Sequence, residues 1–160
     1  MTRTEIASGQ RSSVELAHPG PARADEDDEG FAGRVLLVDD HPVNQRLAKV
    51  FLEALGWPAD VVENGEDAVK AAAAGAYFAI LMDLHMPGMD GLEAARAIRR
   101  LRPPQGLVPI IAMSADALPR TLQRCREAGM DDHIPKPIEL AVMHRVLQRW
   151  LNGQSPAQGR

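Results

Sequence analysis

Between Arg34 and Leu151, short apolar runs alternate with stretches whose apolar residues recur every three or four positions. Val35-Leu36-Leu37-Val38 has no polar alternation, the pattern of a strand buried on both faces. Helical spacing follows at Val43, Leu47, Val50, Phe51, Ala54 and Leu55. Pro42 suits the first turn of that helix and Gly56 its stop. Ala59 to Val62 is a weaker strand, and Glu66 to Ala74 an alanine-rich helix closed by Gly75. Ala79 to Met82 is a third strand. Leu92, Ala95, Ile98 and Leu101 mark a third helix, ended by Pro103-Pro104. Pro109 to Met113 is a fourth strand, and Pro119 to Ala128 a helix with Gly129 at its end. His133-Ile134 makes a short fifth strand. Leu140, Met143, Leu147 and Trp150 mark a last helix ending near Leu151. Strands alternating with helices predict an α/β fold with a five-stranded parallel sheet covered on both faces. Right-handed crossovers restrict its topology sharply.

Polar residues interrupt this pattern at particular places. Asp39 and Asp40 end the first run, Asp83 the third and Ser114 the fourth, and Lys136 closes the fifth. A carboxylate at the end of a buried strand is poorly solvated and needs a partner. In open parallel sheets, ligand sites form beyond the carboxyl ends of the strands, where strand order reverses. All five polar groups are expected there, as one site.

Composition changes the picture only at the ends. The chain has 160 residues and a net charge of -4. The acidic excess lies in residues 1–33, which hold Asp25-Glu26-Asp27-Asp28-Glu29 and no apolar periodicity. Like charges repel there and no hydrophobes offset the ordering entropy. Residues 1–33 are therefore expected to be a disordered acidic tail, 34–151 the domain, and 152–160 a flexible end. No apolar stretch approaches the roughly 20 residues of a membrane helix, and no signal sequence is visible. The single Cys125 excludes an internal disulfide framework. These features predict a cytoplasmic protein. No basic footprint suggests nucleic acid.

Should Asp39, Asp40 and Asp83 converge, their charges would raise one another's pKa values unless a cation intervened. Mg²⁺ suits such oxygen donors, keeping waters and bridging phosphate. Lys136 would face a phosphoryl oxygen as a point charge, and Ser114 would donate to another. Asp83 would then be free to attack phosphorus and form an acyl phosphate.

Four segments resemble the receiver domain of two-component response regulators. They are Val38-Asp39-Asp40, Met82-Asp83-Leu84-His85-Met86-Pro87-Gly88-Met89-Asp90-Gly91, Ala112-Met113-Ser114-Ala115 and Lys136-Pro137. The resemblance implies a flavodoxin-like (βα)5 fold with strand order 2-1-3-4-5, an order that a receiver itself commonly serves to illustrate. It implies that Asp83 accepts phosphate from a phosphohistidine on a sensor histidine kinase or a histidine phosphotransfer protein. It assigns Mg²⁺ to Asp39, Asp40, Asp83 and the His85 backbone carbonyl, and the phosphoryl group to Ser114 and Lys136. His133 matches a switch position usually held by an aromatic residue, and Lys136-Pro137 is expected to be cis. The His85 and Asp116 side chains sit where water attack on the phosphoaspartate is tuned. His41 and Asn44 resemble receivers attached to hybrid sensor kinases.

Ser114 replaces the commoner Thr, keeping the donor and losing a methyl. His133 adds a titratable ring, so signalling is expected to weaken below about pH 6.5, where the charged ring resists an apolar pocket. Only nine residues follow Leu151, so output is expected to pass through a protein partner. The expected face is helix 4, strand 5 and helix 5, bearing Arg120, Arg124, His133 and Met143. The domain is expected not to be an enzyme beyond its own phosphorylation and slow dephosphorylation. One rival reading is a Mg²⁺-dependent phosphohydrolase with an aspartyl nucleophile. Its usual Asp-x-Asp is missing, since Asp39-Asp40-His41 follows the first strand. Others are a phosphate-independent interaction module and a fragment of a hybrid kinase; Met1 and the tail are expected of a separate chain.

Overall fold

The computed structural model describes residues 33–154. The expected acidic tail, apart from its last residue, and residues 155–160 of the expected flexible end lie outside the described residues. In chain order the elements are β1 (Val35–Val38), α1 (Pro42–Ala54), β2 (Ala59–Val62), α2 (Gly65–Ala74), β3 (Ala79–Asp83) and α3 (Gly91–Arg99). A short 3-10 turn (Gln105–Leu107) leads to β4 (Ile110–Ser114), α4 (Pro119–Glu127), β5 (Asp132–Pro135) and α5 (Leu140–Leu151).

The strands form one parallel sheet in the order β2-β1-β3-β4-β5. Strand side chains point alternately to its two faces. Leu36, Val38, Ile80, Met82, Ile110 and Ala112 pack against α2, α3 and α4. Val35, Leu37, Leu81, Ile111, Met113 and Ile134 pack against α1 and α5. Every residue of β1, β3 and β4 is buried. This is why those strands read as unbroken apolar runs. The chain reverses direction across the sheet between β1 and β3, which start crossovers to opposite faces, so a crevice opens above their carboxyl ends.

The structure separates the apolar residues of α1, and it corrects one expectation about packing, that for Met143. In α1 the sheet-facing residues are Ala48 and Leu52, with Phe51 and Leu55 partly buried beside them. Val43 (67%), Leu47 (37%) and Val50 (53%) are exposed. The helix carries two apolar rows, each at helical spacing, and only one of them reaches the sheet. Met143, expected on a docking face, is completely buried between α5 and the sheet. It occupies the core stripe of α5 with Val146 and Leu147.

The third helix is shorter than its spacing suggests, ending at Arg99 with Arg100 as its C-cap. Arg99 then braces three segments. Its guanidinium donates to the carbonyls of Gly129 (2.8 Å), Gly106 (3.0 Å) and Val108 (2.7 Å) and to Asp131 (2.6 Å). Asp131 also accepts from the Ile110 N–H at 2.9 Å, tying the brace to β4. Lys136-Pro137 is cis, as expected, and so is Pro103-Pro104.

Candidate functional site

The acidic pair ends β1 and faces the end of β3, because Val38 lies opposite Met82 in the parallel register. Asp39 and Asp83 are buried and Asp40 is exposed. Each offers an oxygen, and these oxygens all lie within 4.8 Å of one another. Lys136, just beyond β5, reaches across with Nζ 3.0 Å from Asp39 Oδ2 and 3.1 Å from Asp83 Oδ1. The β1–α1 turn holds Asp39 in place. Its Oδ1 accepts from the His41 N–H at 2.8 Å, and its carbonyl accepts from Gln45 Nε2 at 2.6 Å. Sequence reasoning misses Gln45, because an isolated polar residue in the first turn of a helix gives no signal of that contact.

Asp83 is held from below by its own loop. The His85 N–H donates weakly to its Oδ1 at 3.3 Å. Gly88 has φ 76°, the left-handed conformation suited to a turn after Pro87. A Cβ at Gly91 would lie 2.1 Å from the Asp83 carbonyl oxygen, so only glycine lets α3 begin directly beneath Asp83. Asp90 caps α3, accepting from the Glu93 N–H at 2.8 Å while Glu93 accepts from the Asp90 N–H at 3.0 Å. That reciprocal pair has a sequence signal in its Asp-x-x-Glu spacing.

Burial pushes the Asp83 carboxyl up, Lys136 pulls it down, and the Asp39 charge adds to the rise; the outcome is a raised pKa. Burial lowers the Lys136 ammonium, but the Asp39 and Asp83 carboxylates outweigh it and hold it above 10.5. Three carboxylates and one ammonium leave two negative charges in a confined place. Two like charges about 4 Å apart repel by about 4 kcal/mol at an effective dielectric near 20. A divalent cation cancels that excess. The donor set is all oxygen, one carboxylate is open to water, and Mg²⁺ retains several waters when bound. The residues fit Mg²⁺.

Ser114 and His133 belong to the neighbouring strands. Ser114 is buried, and its hydroxyl is engaged with Asp116 rather than with the acidic cluster. His133 pairs in register with Ala112, two residues before Ser114, and so shares its face of the sheet. Its ring is half-buried, and Nε2 has no partner. Burial lowers its pKa, against the raising effects of Asp132, the Ser114 backbone and Asp116. His85 is exposed. Asp116 accepts from the Thr121 hydroxyl at 2.6 Å, and this bond, then that to the Leu118 N–H, holds its pKa down. Thr121 gives no sequence signal, being a single hydroxyl in the first turn of α4.

A doubly covered parallel sheet with an acidic triad and a crossing lysine at its carboxyl edge defines a phosphoryl-handling signalling domain. The chain belongs to the response regulator receiver domain family, whose model matches residues 35–148. Sensor protein GacS of Pseudomonas syringae pv. syringae is 38% identical over 88% of this chain, which spans 16% of that protein's length. Sensor histidine kinase RcsC of Salmonella typhimurium is 39% identical over 71% of this chain and is matched over 12% of its length. Among solved structures, the receiver domain of sensor histidine kinase PA1611 from Pseudomonas aeruginosa has magnesium coordinated in its active-site cleft. It is 42% identical with a TM-score of 0.69, covering 74% of this chain and 97% of that one.

Proposed function

We propose that this domain takes a phosphoryl group from a phosphohistidine onto Asp83 and passes the signal to a protein partner. The observation that carries this reading is the Lys136 ammonium lying between Asp39 and Asp83, with Asp40 completing the acidic triad. Asp39, Asp40, Asp83 and the His85 backbone carbonyl would hold Mg²⁺. Bound there, the ion would offset the negative charge that otherwise repels an incoming phosphoryl group.

Asp83 Oδ attacks phosphorus, forming a phosphorus–oxygen bond as the bond to the donor imidazole breaks. Lys136 keeps its proton and stabilises a phosphoryl oxygen by charge, since its raised pKa holds it cationic. The Ser114 hydroxyl would donate a hydrogen bond to a second phosphoryl oxygen. In such transfer the protein contributes positioning and charge more than covalent chemistry. The exposed side chain of His85 and the half-buried one of Asp116 would flank the water route to the resulting phosphoaspartate.

Two surfaces suit two partners. The exposed row Val43, Leu47 and Val50 begins beside the acidic pair, so a helical phosphodonor packing there would bring its histidine to Asp83. A downstream target would read the face of α4, β5 and α5, where Arg120 and Arg124 are exposed and His133 is half-buried. Met143 is no part of it. The same chemistry serves a cytoplasmic receiver alone or one joined to a longer sensor kinase.

The test is incubation with acetyl phosphate and Mg²⁺ followed by intact mass. One phosphoryl group per chain is expected for the wild type and none for Asp83→Asn. Mass gain in the Asn variant, or steady hydrolysis of phosphomonoesters, would overturn the reading.

A further inference from the structure

The Ser114 hydroxyl is already committed. Its Oγ donates to the Asp116 carbonyl at 2.8 Å and accepts from the Asp116 N–H at 2.9 Å. A hydroxyl has a single proton. While that proton serves the Asp116 carbonyl it cannot serve a phosphoryl oxygen on Asp83.

Asp116 is in turn fixed to the start of α4. Its Oδ1 accepts from the Leu118 N–H at 2.7 Å and its Oδ2 from the Thr121 hydroxyl at 2.6 Å. The N-cap residue of α4 is Leu118, whose side chain makes no capping bond, and Pro119 begins the helix. Capping therefore falls to a residue two positions upstream, with Thr121 as its second donor. Hydrogen bonds to an ionised acceptor are about twice as strong as neutral ones. Asp116 and Thr121 also line an open groove of about 550 Å³ with His85, Asp90 and Arg124, so the segment has space beside it.

We propose that Asp116 and Thr121 are positioning residues whose contact sets the cost of drawing the Ser114 hydroxyl to a loaded phosphoryl site and, with it, of freeing the start of α4. This rests on the phosphoacceptor reading of Asp83. A loaded Asp83 competes for the one Ser114 proton, and the strength of the Asp116 cap sets how hard it must compete. Coupling of this kind is reciprocal: weakening the cap favours loading as much as loading weakens the cap.

The test uses the whole chain with Mg²⁺ and beryllium fluoride, a phosphoryl mimic that needs no donor protein. Thr121→Val removes the donor while keeping the shape, and Thr121→Ser restores it. Affinity for beryllium fluoride should tighten about fivefold in the Val variant and return to wild type in the Ser variant. Without the mimic, the Leu118 amide resonance of the Val variant should move toward its position in the loaded wild type. Asp116→Asn, which keeps an oxygen for Leu118 but drops the charge, should shift both readouts the same way, and it carries the test should the Val variant fail to fold. A merely structural role for Thr121 would lower thermal stability and leave the affinity unchanged or weaker, and that result overturns the positioning role alone. A wild type that never binds beryllium fluoride overturns the phosphoacceptor reading, and the positioning role with it.

Discussion

His133 is a half-buried titratable ring on the same face of the sheet as Ser114. Burial disfavours its charged form, and Asp132, the Ser114 backbone and Asp116 only partly offset that. Its folded pKa therefore lies below 6.5. The stability contribution of the neutral ring is complete above the ordinary value and is lost as pH falls through the lowered one. With that direction, we propose that the weakening of signalling expected in acid sets in at a lower pH than the ordinary value. His133→Phe should flatten the fall in melting temperature between about pH 6.5 and 5, because Phe carries no proton to gain. An unchanged slope in that variant would assign the acid sensitivity to other groups. At this scale the sequence is legible wherever a polar residue ends an apolar run, since burying Asp39 or Asp83 without purpose is costly. It is not legible for Gln45, Thr121 or the Arg99 brace. Their roles depend on partners brought close only by the folded chain.

Among the elements, the strands are plain in the sequence and the helix faces less so. β1, β3 and β4 are buried throughout, so any apolar run there points inward whatever its register. A helix must choose a side. Val43, Leu47 and Val50 keep a helical spacing as good as that of Ala48, Leu52 and Leu55, and spacing alone does not say which row meets the sheet. Met143 shows the same ambiguity: its row on α5 is core stripe, not surface. The exposed α1 row makes a definite prediction. Val50→Glu keeps a good helix former at an exposed site, so stability should change by less than about 0.5 kcal/mol. Loading from acetyl phosphate should stay normal, while transfer from a histidine phosphotransfer domain should slow about tenfold. Equal loss with both donors would place the defect in the acidic site rather than in docking.

Taken as a whole, the molecule buries its acidic cluster against the preference of a carboxylate for water. Asp83 is buried beside Asp39 with its pKa raised. A raised carboxyl contributes stability below the ordinary 3.8 and loses it as pH rises through the folded value, so at neutral pH the ionised form strains the fold. Without Mg²⁺, Asp83→Asn should melt about 3 °C higher than the wild type at pH 7. Adding Mg²⁺ should raise the wild type and narrow the difference, because an ion that binds only the folded state stabilises it. A lower melting temperature for the Asn variant in metal-free buffer would show that the Lys136 contacts outweigh the burial. The fold class and the convergence of Asp39, Asp40, Asp83 and Lys136 are accessible from the sequence together, because a parallel sheet gathers the ends of its strands into one crevice.

The Arg99 brace has a mechanical corollary. It grips the carbonyl of Gly129, just past the last turn of α4, and anchors it to β4 through Asp131. One end of that helix is pinned while the other is tied down through Asp116. A nine-residue helix is about 13 Å long. Were its outer tip freed, α4 would pivot about the pinned end, and a tilt of about 10° would carry Pro119 and Arg120 about 2 Å while Gly129 stayed still.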